Sequence, residues 1–140
     1  SPLEFRRFLK ECGKQRQDWK PGPGKVSLTR YVMRDDQGRI AANGLLRFPL
    51  TDITESDGGN LFVDVPPSRR RQRNGAYSLS LMLFEAVRAG LRRALVTAPA
   101  EDQAARRIIE LNRGELWDTT DSFDPEAAGV KIARYWISFR

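Results

Sequence analysis

Asn60-Leu61-Phe62-Val63-Asp64-Val65 runs without a break into Pro66-Pro67-Ser68-Arg69-Arg70-Arg71-Gln72-Arg73-Asn74-Gly75, and then into an apolar stretch ending at Ala89-Gly90. The first six residues read as a strand, and the two prolines end it because neither can donate to a sheet ladder. From about Gly75 to Ala89, Leu79, Met82, Leu83, Ala86 and Val87 recur at helical spacing, which predicts a helix with one broad buried face. Gly90 is a sensible residue to stop it. The order is therefore strand, arginine-rich turn, helix. A helix N-terminus carries free backbone N–H groups and a partial positive charge. Set after four arginines, it makes a site for phosphates and points to a phosphorylated cofactor.

Working outward, residues 3–12 read as a short amphipathic helix with Leu3, Phe5, Phe8 and Leu9 on its apolar side. Residues 13–24 are polar, include Pro21-Gly22-Pro23-Gly24, and read as a loop. Residues 25–34 and 39–48 read as two strands joined by a hairpin turn at Asp35-Asp36-Gln37-Gly38. Residues 51–59 form a polar loop. Beyond the central helix, residues 93–97 are a β-type run. Residues 101–111 are a second helix expected to turn Ala104, Ala105, Ile108 and Leu111 inward. Residues 115–119 and 130–139 supply two more strands around a polar loop at 118–129. In the last strand Tyr135 and Trp136 read as core. A strand–helix–strand unit favours two parallel strands. The flanking hairpin favours antiparallel partners. The fold class is α/β, a mixed central sheet with helices on both faces, in a single domain over residues 1–140.

Bulk properties narrow the chemistry. The 140 residues are 40% hydrophobic and 30% charged, as in a globular domain with a core. No apolar run approaches the ~20 residues that span a bilayer, so no membrane partner is expected. The chain has no histidine, which removes His-based general bases, Ser-His-Asp triads and His-ligated metals. A single cysteine, Cys12, excludes an internal disulfide and is too little for structural zinc, so no metal is expected and the default setting is reducing and cytoplasmic. The net charge is +6. Without Arg69, Arg70, Arg71 and Arg73 the 24 basic residues become 20 against 18 acidic ones, which leaves +2. One turn thus holds most of the excess, which fits a compact polyanion better than a nucleic acid. A nucleic-acid module is further disfavoured because no aromatic residue interleaves with the arginines.

At this point the residues resemble the GNAT superfamily of N-acetyltransferases. Residues 58–68, Gly58-Gly59-Asn60-Leu61-Phe62-Val63-Asp64-Val65-Pro66-Pro67-Ser68, look like that family's fourth strand. The following turn lies where the family keeps its pyrophosphate motif, Gln/Arg-x-x-Gly-x-Gly/Ala. Leu79, Leu83, Ala86 and Gly90 fit the next helix, residues 92–97 the fifth strand, and residues 101–114 the next helix and turn. Arg134-Tyr135-Trp136-Ile137 resembles the closing strand of one bacterial subgroup. Ungapped, the motif is Arg70-Arg71-Gln72-Arg73-Asn74-Gly75, with Arg73 in place of the first glycine. The register Gln72 to Tyr77 keeps that glycine but shortens the helix, so the first is preferred. Arg73 brings a Cβ where glycine allows close approach, yet its guanidinium can fork onto phosphate oxygens. The tyrosine that usually serves as general acid falls near Ile109, and Asp102 stands where the family often has Asn. The family's first strand is not evident. Its loss would open a sheet edge that a larger parent protein or a homodimer partner could cover.

The resemblance implies an acetyl-CoA-dependent N-acetyltransferase in which an amine acceptor attacks the thioester directly. The cofactor would lie along Val63 and Val65, with its pyrophosphate on Arg70, Arg71, Gln72, Arg73, Asn74, Gly75 and Ala76, and with Asp102 and Arg106 nearby. Asp64 is the candidate catalytic residue, acting through water or by orienting the amine, because a carboxylate is a weak base for an ammonium. Alternation puts Asp64 on the face opposite Val63 and Val65. Asp102 reads equally well as a helix-start residue. Glu55, Asp57, Asp118, Asp121 and Asp124 would form an acidic rim for a cationic amine. The alternative is a catalytically degenerate binding or regulatory domain of the same fold, marked by Arg73, Asp102 and Ile109.

Overall fold

The computed structural model describes residues 15–17, 27–35, 37–50, 58–66, 74–122 and 124–139. In chain order the elements are β1 (Gln15–Gln17), β2 (Ser27–Arg34), β3 (Ile40–Phe48), β4 (Leu61–Asp64), α1 (Asn74–Arg88), β5 (Arg93–Pro99), α2 (Gln103–Leu111), β6 (Glu115–Asp121) and β7 (Lys131–Ser138). The strands form one sheet in the order β1-β2-β3-β4-β5-β7-β6. Every neighbouring pair is antiparallel except β4 and β5, the two strands that α1 connects.

Local chemistry sets the boundaries. At the β2–β3 turn the Asp35 carboxylate accepts from the backbone N–H groups of Gln37 (2.9 Å) and Arg39 (2.8 Å). Gly38 takes the positive φ of 79° that the turn needs. Gly90, at φ 95°, ends α1: its N–H and that of Leu91 return to the carbonyls of Val87 and Ala86. Asp102 caps α2 by accepting from Ala105 N at 3.0 Å.

The register settles which residues share a face. Leu61 lies across from Leu46 on one side and Val96 on the other, and Val96 lies across from Tyr135. These residues and their same-face neighbours pack with Leu79, Met82, Leu83 and Ala86 of α1 and Ile109 of α2 in one core cluster. Both described helices therefore lie on this face. Gly44 lets α1 come close, since a Cβ there would fall 2.5 Å from Met82 Sδ. The opposite face buries Leu95 and Ile132. The expected helix at residues 3–12 is outside the described residues.

Asn60, buried beside the start of β4, ties three strands together. Its side-chain N–H₂ donates to the Arg47 carbonyl of β3 (3.0 Å) and its side-chain oxygen accepts from Leu95 N of β5 (2.8 Å). Its own N–H donates to Leu95 O (2.7 Å), and its carbonyl accepts from Arg47 N (2.8 Å). Gly59, at φ 63°, lies so close to the Leu95 carbonyl that any Cβ would collide with backbone.

Several expectations need correction. The segment at residues 13–24, read as a loop, contains β1, which pairs with β2 through Gln15↔Arg30 to Gln17↔Leu28. Val87 is exposed, because α1 meets the sheet along one side only. On α2 the buried residue is Ile109, whereas Leu111 and Ala104 are exposed and Ala105 and Ile108 half-buried. The short helix turns its Ile109 side to the sheet, a rotation that its weak apolar pattern did not specify. β6 extends to Asp121, so Asp118 and Asp121 belong to a strand.

Two stability predictions follow from buried polar groups. Asn60→Ala strands the Leu95 N–H and the Arg47 carbonyl, and should cost about 2–4 kcal/mol in urea unfolding. Ser78 of α1 is fully buried and its hydroxyl has no hydrogen-bond partner. Ser78→Ala should therefore stabilise by about 1 kcal/mol, read as a rise in Tm of a few degrees.

Candidate active site

β4 and β5 share one ladder bridge, Leu61↔Val96. Past it, β4 stays with β3 as far as Asn43↔Asp64, and β5 stays with β7 as far as Pro99↔Ile132. Each strand keeps its outer partner, so the two part and leave a wedge between them. A split beside parallel strands, at their C-terminal ends and before a helix N-terminus, is where α/β folds place ligands. α1 starts at this end. Its first N–H groups, from Asn74, Gly75 and Ala76, have no place in the helical ladder.

The start of α1 is held over the split by α2. A Cβ on Gly75 would lie 2.5 Å from Ile108 Cδ1 and 3.8 Å from Val65 Cγ2, so Gly75 is where two helices and the strand end converge. Asn112, at the end of α2, donates to the carbonyls of Ala76 and Ile108, both at 3.0 Å.

The residues singled out from the sequence divide as follows. Val63 is half-buried on the helix face; Asp64 is exposed on the other, as alternation requires. Val65, Gly75 and Ala76 are half-buried near the mouth of the split. Arg70, Arg71, Gln72 and Arg73 are outside the described residues. Asn74 is described as the first residue of α1. Asp102 serves as the cap of α2. Arg106 donates from Nε to the Tyr135 hydroxyl (2.9 Å) and from Nη1 to the Ala100 carbonyl (3.1 Å), and the Tyr135 hydroxyl donates to Glu110 (3.0 Å). The hydrogen bond from Tyr135 raises the Arg106 pKa above the ordinary guanidinium value, so this group stays cationic. Ile109, in the place that the resemblance gives to a tyrosine, is buried.

The acidic rim does not assemble as expected. Asp118 accepts a two-pronged contact from Arg134, with Nε–Oδ1 at 2.6 Å, and Asp121 pairs with Lys131. Asp124 caps a short 3-10 turn, Pro125–Ala127. Glu55 and Asp57 are outside the described residues. The core reading holds for Tyr135, but Trp136 is half-buried on the opposite face. There Arg93 stacks over Trp136 at 3.9 Å, Trp117 meets Trp136 at 5.5 Å, and Arg134 covers Trp117 at 4.0 Å.

Sequence reasoning passed over Asn60 and Phe62. Asn60 follows Gly58-Gly59 and precedes an apolar strand, a position where a buried amide can only be structural or functional. Phe62 was counted as an ordinary strand residue, yet it is 51% exposed in the middle strand of the sheet.

No protein-family model matches the chain, and no curated protein does either. Solved structures do. A ribosomal L7/L12 α-N-protein acetyltransferase, RimL, in complex with coenzyme A superposes with a TM-score of 0.63 at 15% identity, over 80% of this chain and 62% of that one. The spermidine/spermine N-acetyltransferase SpeG from Vibrio cholerae gives 0.64 at 14% identity, over 79% and 65%. An acetyltransferase from Salmonella typhimurium that modifies the N-terminal serine of L7/L12 gives 0.60 at 16%, over 81% and 64%. This chain spans less than two thirds of each. The protein has the GNAT acetyltransferase fold. Among the described residues no helix is long and apolar enough to cross a membrane.

The Asp118–Arg134 pair yields a pH prediction. The Arg134 hydrogen bond holds the Asp118 carboxyl below its ordinary value. A lowered folded pKa contributes stability that is present above the unfolded value of about 3.9 and is lost as pH falls through the folded value. Asp118→Asn should cost up to about 1 kcal/mol at pH 7, since the carboxylate is part-exposed. That difference from wild type should shrink in urea melts taken below about pH 4.

Proposed function

We propose that the chain is an acetyl-CoA-dependent N-acetyltransferase that transfers the acetyl group to an amine by direct attack. The observation that carries this reading is the parting of β4 from β5 after Leu61↔Val96, on a GNAT fold, beneath the start of α1. The residues fit the coenzyme. Beyond the single bridge, β4 and β5 face a gap rather than each other, so strand-like hydrogen bonding from the Val63–Val65 stretch to an extended pantetheine arm is sterically open. The pyrophosphate would meet the N–H groups of Gly75 and Ala76 and the side chains of Arg70, Arg71, Gln72 and Arg73, with Asn74 between. Asp102 and Arg106 stand further along the same side, Asp102 through its cap and Arg106 through its bonds to Tyr135 and Ala100.

When bound, acetyl-CoA supplies an acyl carbonyl activated as a thioester. The protein has to exclude water, deliver a neutral amine and offer an N–H to the developing oxyanion. A β4 backbone N–H facing the gap is suited to that last role. Asp64 orients the amine or takes its proton through water. The lack of histidine leaves proton handling to carboxylates and water. Asp64 supports this assignment in one respect. Among the described aspartates, Asp35, Asp102, Asp118, Asp121 and Asp124 each have a hydrogen-bonded partner, and Asp64 has none.

A second reading is a binding or regulatory domain of the same fold without turnover. Ile109 favours it, because a buried aliphatic group cannot return a proton to the leaving thiolate. A reducing cytoplasm, a homodimer and a larger parent protein belong to the same set of proposals.

Calorimetric titration with acetyl-CoA tests the reading, with an Arg70→Ala/Arg71→Ala variant in parallel. Binding should weaken by about tenfold or more in the variant, the loss expected for charge-assisted bonds to phosphate. Absence of binding by wild type would sink the coenzyme reading. Binding without acetylation of any primary amine in a broad screen would leave the regulatory one.

A further inference from the structure

The face opposite the helices carries a feature that coenzyme binding does not use. β4 is the fourth of seven strands, so its outer face would ordinarily be covered. Yet Phe62 is 51% exposed there, and Asp64 is exposed beside it. Across the β3–β4 ladder, Asn43 pairs with Asp64 and is also exposed, and Leu45 pairs with Phe62 and is half-buried. One ring, one carboxylate and one amide thus share a patch about two residues long and two strands wide. Neither the Asp64 carboxylate nor the Asn43 amide has a hydrogen-bond or ion-pair partner. The patch also borders the β4–β5 split, which opens directly after Leu61.

These three groups are complementary to one chemistry. The face of an aromatic ring attracts a cation, a carboxylate pairs with it, and an amide oxygen accepts one of its N–H bonds. A neutral or anionic ligand would leave the Asp64 charge unmatched. We infer that Phe62, Asp64 and Asn43 form a subsite for a primary alkylammonium group, with Phe62 as the residue that selects a cationic acceptor. The inference rests on the acetyltransferase reading for its purpose, since it names the acceptor class of that same site, but its test requires no turnover. The ammonium binds on the outer face, loses its proton to water near Asp64, and presents its lone pair to the split.

The probe is n-butylammonium chloride, with 1-butanol as an uncharged molecule of the same size. Each is titrated into ¹⁵N-labelled protein at pH 7, and amide shifts are followed by NMR. n-Butylammonium should shift the signals of Asn43, Phe62 and Asp64, and 1-butanol should leave them in place. Phe62→Leu keeps the apolar bulk but loses the ring, and should weaken n-butylammonium binding about three- to fivefold. Phe62→Trp should restore or strengthen it. Retention of the remaining peaks shows that each variant is folded. Equal shifts from both probes, shifts confined to other residues, or an unchanged dissociation constant in Phe62→Leu would overturn the inference. So would a sedimentation coefficient that drops in Phe62→Leu, because the patch would then be a contact between two copies. Acetyl-CoA titrated into the same samples separates the two claims: coenzyme binding without an ammonium effect removes the subsite alone, and an ammonium effect without coenzyme binding removes the acetyltransferase reading alone.

Discussion

The structure depends on the clamp made by Asn60. One buried residue meets β3 and β5 with four hydrogen bonds, two from its backbone and two from its side chain. A side-chain amide can do this because it offers a donor and an acceptor in one plane, much as a peptide group does. The result fixes the start of β4 between its neighbours. Gly59 makes the approach feasible, since only a residue without Cβ can sit against the Leu95 carbonyl at positive φ. With that end closed, one bridge is enough to hold β4 and β5 together, and the strands are free to part beyond it. The closed end and the open end of the sheet centre are two consequences of one fastening.

Close packing then aims the helix at the opening. Gly44 under Met82 lets α1 lie low on β3 and β4, and Gly75 against Ile108 lets its first turn meet α2. Asn112 ties the end of α2 to Ala76. These contacts bring the unsatisfied N–H groups of α1 over the mouth of the split, on the side to which the arginine turn leads. A partial positive helix end and a cluster of arginines reinforce each other there. The carboxylate with no partner, Asp64, faces the other way. The sheet thereby separates a cationic side suited to a polyanion from an outer patch suited to a cation, with the split between them.

The polar pairs at the far edge of the sheet act differently. Arg134 and Asp118 satisfy each other, Lys131 meets Asp121, and two arginines cover the rings of Trp117 and Trp136. Each charge is matched, so this edge stores order rather than reactivity. The contrast with Asp64 shows that a carboxylate's neighbours, and not its residue type, decide whether it is available for chemistry.

The strand–turn–helix unit was legible because its signals are local: Pro66-Pro67 must end a strand, the spacing of Leu79, Met82, Leu83 and Ala86 can only be helical, and Gly90 stops a helix wherever it stands. Strict alternation likewise told that Asp64 and Val63 face opposite ways. The absence of histidine bounded the chemistry before any coordinates. What the residues along the chain could not tell was set by groups far apart in sequence. Asn60 acquires its role from Arg47 and Leu95, Asp118 loses its freedom to Arg134, and the α2 face is chosen by what Ile109 finds beneath it. Phe62 is exposed only because nothing in the fold covers the middle of that face. Local periodicity fixes backbone type through steric and hydrogen-bonding rules that act within a few residues. Burial, pairing and the gap between β4 and β5 arise from long-range register, and only the folded chain decides them.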